Sequence, residues 1–356
     1  MIKIALITDT HFGIKNNSAV FRTYFAHFFE KVFLPYIDQH NIKHVVHLGD
    51  LFDNRKIINI ETLKYVRETF IEPLVLQRNI DLRVIVGNHD IYYRNTNNVN
   101  SIKELFNQYK NIKIYETPTD DNIGEKSFSF LPWVNSENYA QFEKFVTKDS
   151  ISTTAFRHLE LIGYEVLRGI KSEEGYSGNL LSRFDTVYSG HFHMKHGDSR
   201  IQYLGTPYDM TFSDVDEKKG FHVLDSDTGN IEYIINPYKM FFKIVYDDIS
   251  FESNIKEMKF EKYQDCYVKV IVKQKKNNRL YEKFITNLNS ALPAEIAIVE
   301  EYLLSQTYNT SEEISIEYDT LTAINKHIDD LGSEVQNPDK IKKIMHDLYV
   351  ESFEVE

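Results

Sequence analysis

The sequence predicts an α/β fold, and three observations support this prediction. The first two-thirds of the chain alternates short apolar runs with stretches of helical spacing. The apolar runs at residues 2–8, 44–48 and 82–86 each end in a polar turn, as the strands of a sheet covered on both faces do. Residues 21–40 and 61–77 lie between these runs and have the length and spacing of helices.

Further strands are expected after residue 125. The candidate segments are residues 126–131, 153–156, 186–189 and 201–204. Residues 221–225 and 231–235 flank the turn sequence Ser-Asp-Thr-Gly-Asn, a pattern typical of a β-hairpin. These segments complete a first predicted domain over residues 1–237.

The pattern changes after Asn236-Pro237. Predicted strands at residues 241–246, 267–273 and 295–300, with helical stretches at 254–258 and 280–290, indicate a small α/β domain over residues 238–303. A polar linker is predicted over residues 304–317. Two amphipathic helices, near residues 318–331 and 338–353, complete the chain as a helical tail over residues 318–356.

Cysteine usage and hydropathy limit the class of protein. Cys266 is the lone cysteine, which excludes an intramolecular disulfide framework and fits a reducing compartment. Residues 1–7 are too short for the apolar core of a signal peptide. No apolar run approaches the roughly 18 residues that span a bilayer. We therefore expect a soluble protein of the cytoplasm, or of the host cytoplasm if a phage encodes it.

The net charge of −12 is unusual for a nucleic-acid enzyme, because phosphate contacts normally need Lys and Arg. The acidity is concentrated at the end of the chain. Residues 300–356 hold 14 of the 53 acidic residues but 4 of the 41 basic ones, so residues 1–299 carry a net charge of about −2. That part is compatible with DNA as a substrate, although it is not expected to grip DNA strongly by itself.

Five short motifs hold the residues that are suited to catalysis, and most of them follow a predicted strand. In chain order they are Asp9-Thr10-His11, Gly49-Asp50, Gly87-Asn88-His89-Asp90, His158 and Gly190-His191-Phe192-His193. Sites in open α/β sheets gather beyond the carboxyl ends of the strands. The five motifs are therefore expected to converge in space.

Together the motifs offer the ligands of two metal ions. The candidate ligands of a first ion are one carboxylate and two imidazoles, those of Asp9, His11 and His193. The candidate ligands of a second ion are one amide oxygen and two imidazoles, those of Asn88, His158 and His191. Asp50 has two carboxylate oxygens and is able to bridge both ions. Mixed nitrogen and oxygen ligands suit Mn²⁺, Fe²⁺ or Zn²⁺ better than Mg²⁺.

This ligand set predicts a phosphoesterase that uses two metal ions. Two ions roughly 3.5–4 Å apart are able to share a hydroxide and to hold the oxygens of a phosphoryl group during an in-line displacement. His89 is expected to donate a proton to the leaving oxygen or to stabilise the charged transition state. Each motif alone also fits a turn or a chance match, and the eight histidines outside the motifs are expected to be surface or core residues.

The motifs resemble the signature of the calcineurin-like metallophosphoesterases. Within that superfamily they are most similar to SbcD-type nuclease subunits of double-strand-break repair, and in particular to the recombination endonuclease subunits of T-even phages. The segments that carry this resemblance are residues 49–56 (Gly-Asp-Leu-Phe-Asp-Asn-Arg-Lys), 86–90 (Val-Gly-Asn-His-Asp), 132–133 (Pro-Trp), 189–193 (Ser-Gly-His-Phe-His) and 203–207 (Tyr-Leu-Gly-Thr-Pro). The resemblance covers residues 1–235 with specific motifs, and beyond them it rests on the order of the predicted domains.

The resemblance implies a four-layer metallophosphoesterase β-sandwich flanked by helices, with a small α/β capping domain and C-terminal helices. It also implies the seven metal ligands named above and a catalytic role for His89. Two positions depart from the family pattern, because Arg157 precedes His158 where the family usually has glycine, and Asp53 stands where many cellular members have a second histidine. Asp53 is a candidate catalytic residue, expected to position His89 or to cap a loop.

The resemblance further implies two protein partners. Family members dimerise through helices near the second and third motifs, which are residues 61–77 and 101–106 here, and they dock their C-terminal helices on the coiled coil of an SbcC-type ATPase. The residues of this chain expected to face the ATPase are Leu321, Ile324, Ile328, Ile341, Ile344 and Leu348. The alternative is that these helices fold back on the capping domain.

The function implied is that of a Mn²⁺-dependent DNA nuclease, exonucleolytic on duplex ends and endonucleolytic on single strands, which processes DNA ends for recombination and repair. The alternatives are a small-molecule phosphatase or cyclic-nucleotide phosphodiesterase of the same superfamily, and an inactive scaffold that recruits the ATPase to DNA ends. Two Mn²⁺ ions are the expected cofactors, with Mg²⁺, Fe²⁺ or Zn²⁺ as alternatives.

Overall fold

The structure, a computed structural model, describes residues 2–251, 258–300, 328–329, 337–342 and 344–345. The chain divides into two compact units, Met1–Val299 and Glu300–Glu356. All five motifs lie in the first unit. Among the described residues, no helix is long and apolar enough to cross a membrane.

The first unit is built on two six-stranded sheets. The described strands, in chain order, are β1 Lys3–Ile7, β2 His44–His47, β3 Asp81–Ile85, β4 Ile112–Tyr115, β5 Thr119–Ile123, β6 Lys126–Leu131, β7 Thr154–His158, β8 Glu165–Leu167, β9 Ile170–Lys171, β10 Thr186–Gly190, β11 His196–Gly197, β12 Ile201–Tyr203, β13 Gly220–Asp225, β14 Ile231–Ile235, β15 Phe241–Asp247, β16 Tyr267–Gln274 and β17 Glu295–Glu300. The two large sheets have the orders β14-β13-β1-β2-β3-β4 and β11-β12-β10-β7-β6-β5.

Parallel pairing places the motif loops at one end of each sheet, where the parallel strands finish. Strands β1 to β4 are parallel to one another in the first sheet, and β13 runs antiparallel to β1. Strands β6, β7, β10 and β12 are parallel in the second sheet. The carboxyl ends of β1, β2 and β3 therefore lie at the same end of the first sheet, and those of β7 and β10 lie together in the second, as the motif positions predicted.

Helices cover the outer faces of the sheets. The described helices, in chain order, are Ile14–Asn17, Ala19–Phe28, Phe29–Phe33, Leu34–Gln39, Ile60–Val66, Arg67–Ile71, Glu72–Val75, Ser101–Phe106, Tyr139–Lys144, Phe145–Asp149, Gly178–Leu181, Phe212–Asp214, Asp248–Phe251, Glu261–Tyr263 and Asn278–Ser290. The helices predicted at residues 21–40 and 61–77 each contain a wide π-type turn just before Pro35 or Pro73. Proline has no N–H and crowds the carbonyl four residues earlier, so a widened turn accommodates it.

Three apolar clusters show that these elements form four layers. The cluster between the two sheets includes Leu6 and Val46 from the first sheet and Phe130 and Phe156 from the second. A second cluster packs the helices between residues 19 and 75 on the outer face of the first sheet. A third packs the helical residues 139–149 on the outer face of the second sheet. The predicted four-layer α/β sandwich is confirmed.

A smaller sheet, ordered β15-β16-β17, follows the sandwich. Helix Asn278–Ser290 covers one of its faces with the buried side chains Tyr281, Phe284 and Leu288. The rings of Phe21 and Tyr267 lie 5.6 Å apart and join this sheet to the sandwich. The predicted domain boundary at residue 237 stays a prediction, because residues 238–299 belong to the same compact unit as the sandwich.

Much of the predicted tail lies outside the described residues, as do the linker over residues 304–317 and most of the helix predicted at 254–258. This is also true of Leu321, Ile324 and Leu348. The tail is helical at the described residues 328–329, 338–342 and 344–345. Within it Ile328 is buried, Ile341 is half-buried and the side chain of Ile344 is 46% exposed. The predicted ATPase-facing surface stays a prediction.

Candidate metal centre

The loops after β1, β2, β3, β7 and β10 bring the predicted ligands together in two groups. The ligand atoms of Asp9, His11 and His193 all lie within 4.8 Å of one another. The same holds for the ligand atoms of a second group, Asp50, His158 and His191. The predicted division into two half-sites therefore agrees with the geometry.

Asp50 lies between the two half-sites. Its Oδ2 atom is 3.1 Å from His158 Nε2 in one group and 3.9 Å from His11 Nε2 in the other. Its Oδ1 atom accepts a hydrogen bond of 2.8 Å from the backbone N–H of His89. The carboxylate thus lies near imidazoles of both half-sites, and its role as a bridging ligand stays a prediction.

Asn88 completes the second group. Its Oδ1 atom lies 3.0 Å from His158 Nε2 and 3.0 Å from His191 Nδ1. In the first group, His11 Nε2 and His193 Nε2 are 3.1 Å apart. All seven predicted ligands thus converge, although their binding of ions stays a prediction.

Four of the predicted ligands have strained backbones. The φ angles are +51° at Asp9, +41° at His11, +56° at Asp50 and +88° at His191. Non-glycine residues rarely adopt positive φ, and the conformation costs about 1–3 kcal/mol at each residue. Hydrogen bonds between the loops offset this cost. One of them joins Asp9 N to Gly49 O at 3.0 Å, and another joins His11 N to Asp50 O at 3.2 Å.

Two motif glycines are explained by close approach of neighbouring groups. A Cβ atom at Gly87 would collide with the carboxylate and backbone nitrogen of Asp50. A Cβ atom at Gly190 would collide with the Thr8 hydroxyl. The glycines in Gly-Asn-His-Asp and Gly-His-Phe-His therefore allow the loops of the two half-sites to pack against each other.

Hydrogen bonds fix which ring nitrogens face the site. His158 Nδ1 donates to the carbonyl of Leu48 at 2.7 Å, which leaves Nε2 directed toward Asp50. His89 Nδ1 donates to the backbone carbonyl of Asp53 at 2.6 Å, which leaves Nε2 for a proton transfer. The carboxylate of Asp53 lies against His11 instead, with Oδ1 3.2 Å from His11 Nδ1. Asp53 therefore contacts His89 through its main chain.

Asp90 holds two motif loops together, a role that its place in the third motif did not reveal. Its buried carboxylate accepts hydrogen bonds from the backbone N–H groups of Gly87, Asp50 and Leu51, at 2.9–3.0 Å. A third bond to the second loop, from Phe52 N, is 3.4 Å long. Asp90 thus joins the loop after β2 to the loop after β3.

Four further neighbours of the ligands have contacts that the sequence did not predict. The Trp133 ring lies 5.1 Å from that of His191, and Tyr208 donates a hydrogen bond of 2.6 Å to the carbonyl of Thr10. The buried Lys219 ammonium donates to the carbonyl of His193 at 3.0 Å. His47, expected to be a surface or core residue, is buried and bonded to the Thr10 hydroxyl at 2.9 Å. Trp133 lies in the Pro-Trp segment that carries the family resemblance, whereas no motif marks Tyr208, Lys219 or His47, whose contacts depend on the fold.

Arg157 is fully buried just before His158. Its Nη2 group donates a hydrogen bond of 3.0 Å to the Tyr203 hydroxyl, and its guanidinium carbon lies 5.1 Å from the centre of the Tyr203 ring. Tyr203 in turn donates to the carbonyl of Leu159 at 2.9 Å. The arginine thus leaves His158 in the site although the family usually has glycine at its position.

Buried carboxylates dominate the electrostatics of the site. Burial raises the pKa of Asp9. Burial would also raise the pKa of Asp50, but the positive charge and hydrogen bond of His158 hold it well below its ordinary value. Burial would lower the pKa values of His11 and His158, yet the surrounding aspartates raise both to about 9. With protein groups alone, these two imidazoles carry the positive charge that balances the carboxylates.

Two divalent cations fit this donor set. Carboxylate oxygens, one amide oxygen and imidazole nitrogens converge in two groups around Asp50. Buried negative charge is costly unless positive charge lies beside it. A divalent ion in each group would supply that charge, and donors of mixed nitrogen and oxygen type bind transition-metal ions well.

Binding of Mn²⁺ at pH 7 is predicted to release about two protons per chain, because His11 and His158 must lose theirs before their nitrogens can bind a cation. Both pKa values are about 9, so the release should fall and the affinity for Mn²⁺ should rise as the pH increases from 7 to above 9. Titration calorimetry in buffers with different enthalpies of protonation measures this number. A release that stays the same from pH 7 to about pH 10 would contradict the assignment.

The fold and the two-part donor set are those of a metal-dependent phosphoesterase. The profile of the family "Calcineurin-like phosphoesterase" matches residues 2–195, so the chain belongs to that family. The matched segment contains all seven predicted ligands, His89 and Asp53.

The chain is also similar to exonuclease subunit 1 of Enterobacteria phage T4. The two sequences are 28% identical over 316 residues, which are 89% of this chain and 89% of the phage protein. Among solved structures, a novel archaeal phosphodiesterase matches 66% of this chain and 100% of its own, with 13% identity and a TM-score of 0.32. The purple acid phosphatase PPD1 of yellow lupin (Lupinus luteus) seeds matches 65% of this chain and 52% of its own, with 12% identity and a TM-score of 0.37.

Proposed function

We propose that this chain is the nuclease subunit of a DNA-end-processing complex, which hydrolyses phosphodiesters with two Mn²⁺ ions. The observation that carries the proposal is the convergence of all seven predicted ligands in two groups around Asp50. Similarity to a phage exonuclease subunit over 89% of both chains supports DNA as the substrate class.

Each part of the site has a role in this proposal. When bound, the divalent ions supply the nucleophile and neutralise charge on the phosphoryl oxygens. Asp50 keeps the two half-sites in register, and Asp90 keeps the loops that hold Asp50 and Asn88 together. His89 uses its Nε2 atom to protonate the leaving oxygen or to stabilise the charged transition state. Asp53 positions His11 through its carboxylate and His89 through its carbonyl.

The substrates in this proposal are duplex ends, degraded exonucleolytically, and single strands, cleaved endonucleolytically. Residues 1–299 are near neutral, with a net charge of about −2, and this predicts weak binding of DNA by the chain alone. An SbcC-type coiled-coil ATPase in the cytoplasm would supply the additional grip on DNA. We infer that the pair acts in recombination and repair.

A direct test compares two substrates under the same Mn²⁺ concentration. The proposal expects cleavage of linear duplex DNA with a kcat/KM well above that for a chromogenic phosphodiester. Faster turnover of the chromogenic ester, with intact DNA, would favour the small-molecule phosphatase or phosphodiesterase. Binding of two Mn²⁺ ions without turnover of either substrate would favour the inactive scaffold.

A homodimer is part of the proposal, and exposed apolar side chains support it. Ile57 and Ile60, just before the predicted dimer helix at residues 61–77, are 73% and 85% exposed. Tyr92 and Tyr93, before the other, are 42% and 53% exposed. Contiguous exposed apolar patches often mark an interface, and the homodimer requires these four side chains to form part of one. Sedimentation of the wild type should show a dimer, and Ile60→Asp should dissociate it. Ile298→Asp, on the small sheet, is the control and should leave the dimer intact. A monomeric wild type would reject the homodimer.

Deletion of residues 318–356 is predicted to abolish binding of the recombinant ATPase subunit and to leave basal nuclease activity unchanged. The reason is that the amphipathic tail is separated by a polar segment from the unit that holds the metal ligands. Co-purification and a Mn²⁺ nuclease assay measure the two effects. Unchanged co-purification would reject the tail as the docking segment, and loss of basal activity would favour helices that fold back on the capping domain.

A further inference from the structure

We propose that Glu160 is a positioning residue that holds the metal ligand His191 and sets the affinity of the second half-site for its ion. This inference rests on the two-ion site in the proposed function. No motif marks Glu160 as part of the site, since it lies two residues beyond His158 in the loop after β7.

The contact between Glu160 and His191 involves the ring nitrogen that is turned away from the other ligands. His191 Nδ1 is 3.0 Å from Asn88 Oδ1, inside the second half-site. A nitrogen that binds a cation needs its lone pair free, so the proton of the neutral ring must lie on Nε2. His191 Nε2 is 3.8 Å from Glu160 Oε2. The carboxylate therefore faces the proton that His191 carries when Nδ1 binds an ion.

The surrounding loop holds Glu160 in place. The hydroxyl of Ser172 donates a hydrogen bond of 2.6 Å to Glu160 Oε1. The N–H of Tyr176 donates to the carbonyl of Glu160 at 3.1 Å. Gly175 lies so close that a Cβ atom there would be 2.6 Å from the same carbonyl. In the sequence, the hairpin of β8 and β9 lies between Glu160 and these partners at residues 172–176. The loop that contains the hairpin therefore folds back and fixes the Glu160 carboxylate beside His191.

The first half-site contains a matching carboxylate. Asp53 Oδ1 lies 3.2 Å from His11 Nδ1, on the side of the ring opposite to the Nε2 atom that faces His193. Each half-site thus has one imidazole with a carboxylate at its remote nitrogen. A carboxylate in this position orients the ring and makes the ligand more basic, and its loss typically lowers metal affinity by about 10–100-fold. The two carboxylates should therefore adjust the two ions separately.

The test measures Mn²⁺ binding to the full-length protein by calorimetry and by the electron paramagnetic resonance signal of free Mn²⁺. Wild type should bind two ions. Glu160→Gln should weaken one of them by about tenfold or more and leave the other within twofold. Asp53→Asn should weaken the other ion, and the double variant should weaken both. Glu173→Gln, which removes one negative charge from an exposed position on the same loop, is the matched control and should bind both ions normally.

Nuclease activity provides a second measurement. For Glu160→Gln, the Mn²⁺ concentration that gives half-maximal activity should rise by the same factor as the dissociation constant, and kcat should recover at saturating Mn²⁺. A general loss of structure would not recover in this way. If Glu160→Gln does not fold, Ser172→Ala carries the test, because it frees the carboxylate and keeps its charge. A smaller weakening of the same ion is then expected.

Equal affinities for both ions in Glu160→Gln and wild type would overturn the proposal. So would an equal loss at both half-sites, or a Glu173→Gln variant as weak as Glu160→Gln. These results are independent of the proposed substrate. A wild type that binds two ions and leaves DNA intact would reject the nuclease function, while the binding data would still decide the role of Glu160.

Discussion

Asp50→Asn is expected to lower DNA cleavage at least about a thousandfold, which corresponds to about 4 kcal/mol of transition-state stabilisation. The carboxylate contacts both half-sites, at His158 and at His11. Asparagine keeps the shape of the side chain and an oxygen for the N–H of His89, but it has no negative charge and a single acceptor oxygen. The affinity for both Mn²⁺ ions should fall together, unlike the effect at Glu160 or Asp53.

Matched controls separate this effect from damage to the fold. Asp185→Asn makes the same change at an exposed position and should retain wild-type cleavage and Mn²⁺ binding. The thermal midpoint of Asp50→Asn should stay close to that of the wild-type protein without Mn²⁺, because Asp90 still holds the backbone of residue 50. An Asp50→Asn protein that cleaves DNA within tenfold of wild type would show that Asp50 does not connect two ions.

His89→Ala is expected to lower kcat on DNA by about 10²–10⁴-fold and to leave Mn²⁺ binding unchanged. The Nδ1 atom of His89 donates to the Asp53 carbonyl, and the centre of its ring lies 4.9 Å from that of His11. His89 forms a third cluster of ligand-type atoms with His11 and Asp53, but it is not a member of the two groups that contain the predicted ligands, so it is not expected to bind either ion. Burial lowers the pKa of His89, so the neutral ring dominates at neutral pH until a negatively charged substrate approaches.

The leaving group decides between the two roles of His89. The leaving group of a p-nitrophenyl diester is p-nitrophenolate, a stable anion that needs no proton. If His89 acts as an acid, His89→Ala should lose far less activity on this ester than on DNA. Equal losses on both substrates would favour stabilisation of the transition state. Normal DNA cleavage by His89→Ala would remove its catalytic role, and His27→Ala, at an exposed histidine, is the control.

The strands that place the site were predictable because they are buried and end in motif residues. β1, β2, β3, β7 and β10 all lie within a residue or two of their predicted positions. Strand β5 was missed because its sequence, Thr-Asp-Asp-Asn-Ile, has no apolar alternation. Two of its polar side chains are satisfied by tertiary contacts, such as the hydrogen bond from the Ser129 hydroxyl to Asp120 at 2.5 Å. Strand β4, at the edge of the first sheet, was also missed, because its four residues are too few to show a clear hydrophobic pattern.

The ligands could be predicted from their residue types and from the strand ends that precede them. The residues that hold the ligands could not, because their roles depend on contacts between distant segments. Asp53 shows the difference. The sequence made its side chain a candidate because it stands where many cellular family members have histidine. In the structure, the main-chain carbonyl of Asp53 is the group that accepts a hydrogen bond from His89. Glu160 lies beside His191, and Lys219 donates to the carbonyl of His193, only because the fold brings these distant segments together.

A crystal structure with bound Mn²⁺, located by anomalous scattering, tests the central claim most directly. Two ions about 3.5–4 Å apart are predicted, with an oxygen of Asp50 on each of them. One ion should contact Asp9, His11 and His193, and the other Asn88, His158 and His191. A single ion at full Mn²⁺ saturation, with the remaining ligands turned away from it, would contradict the account.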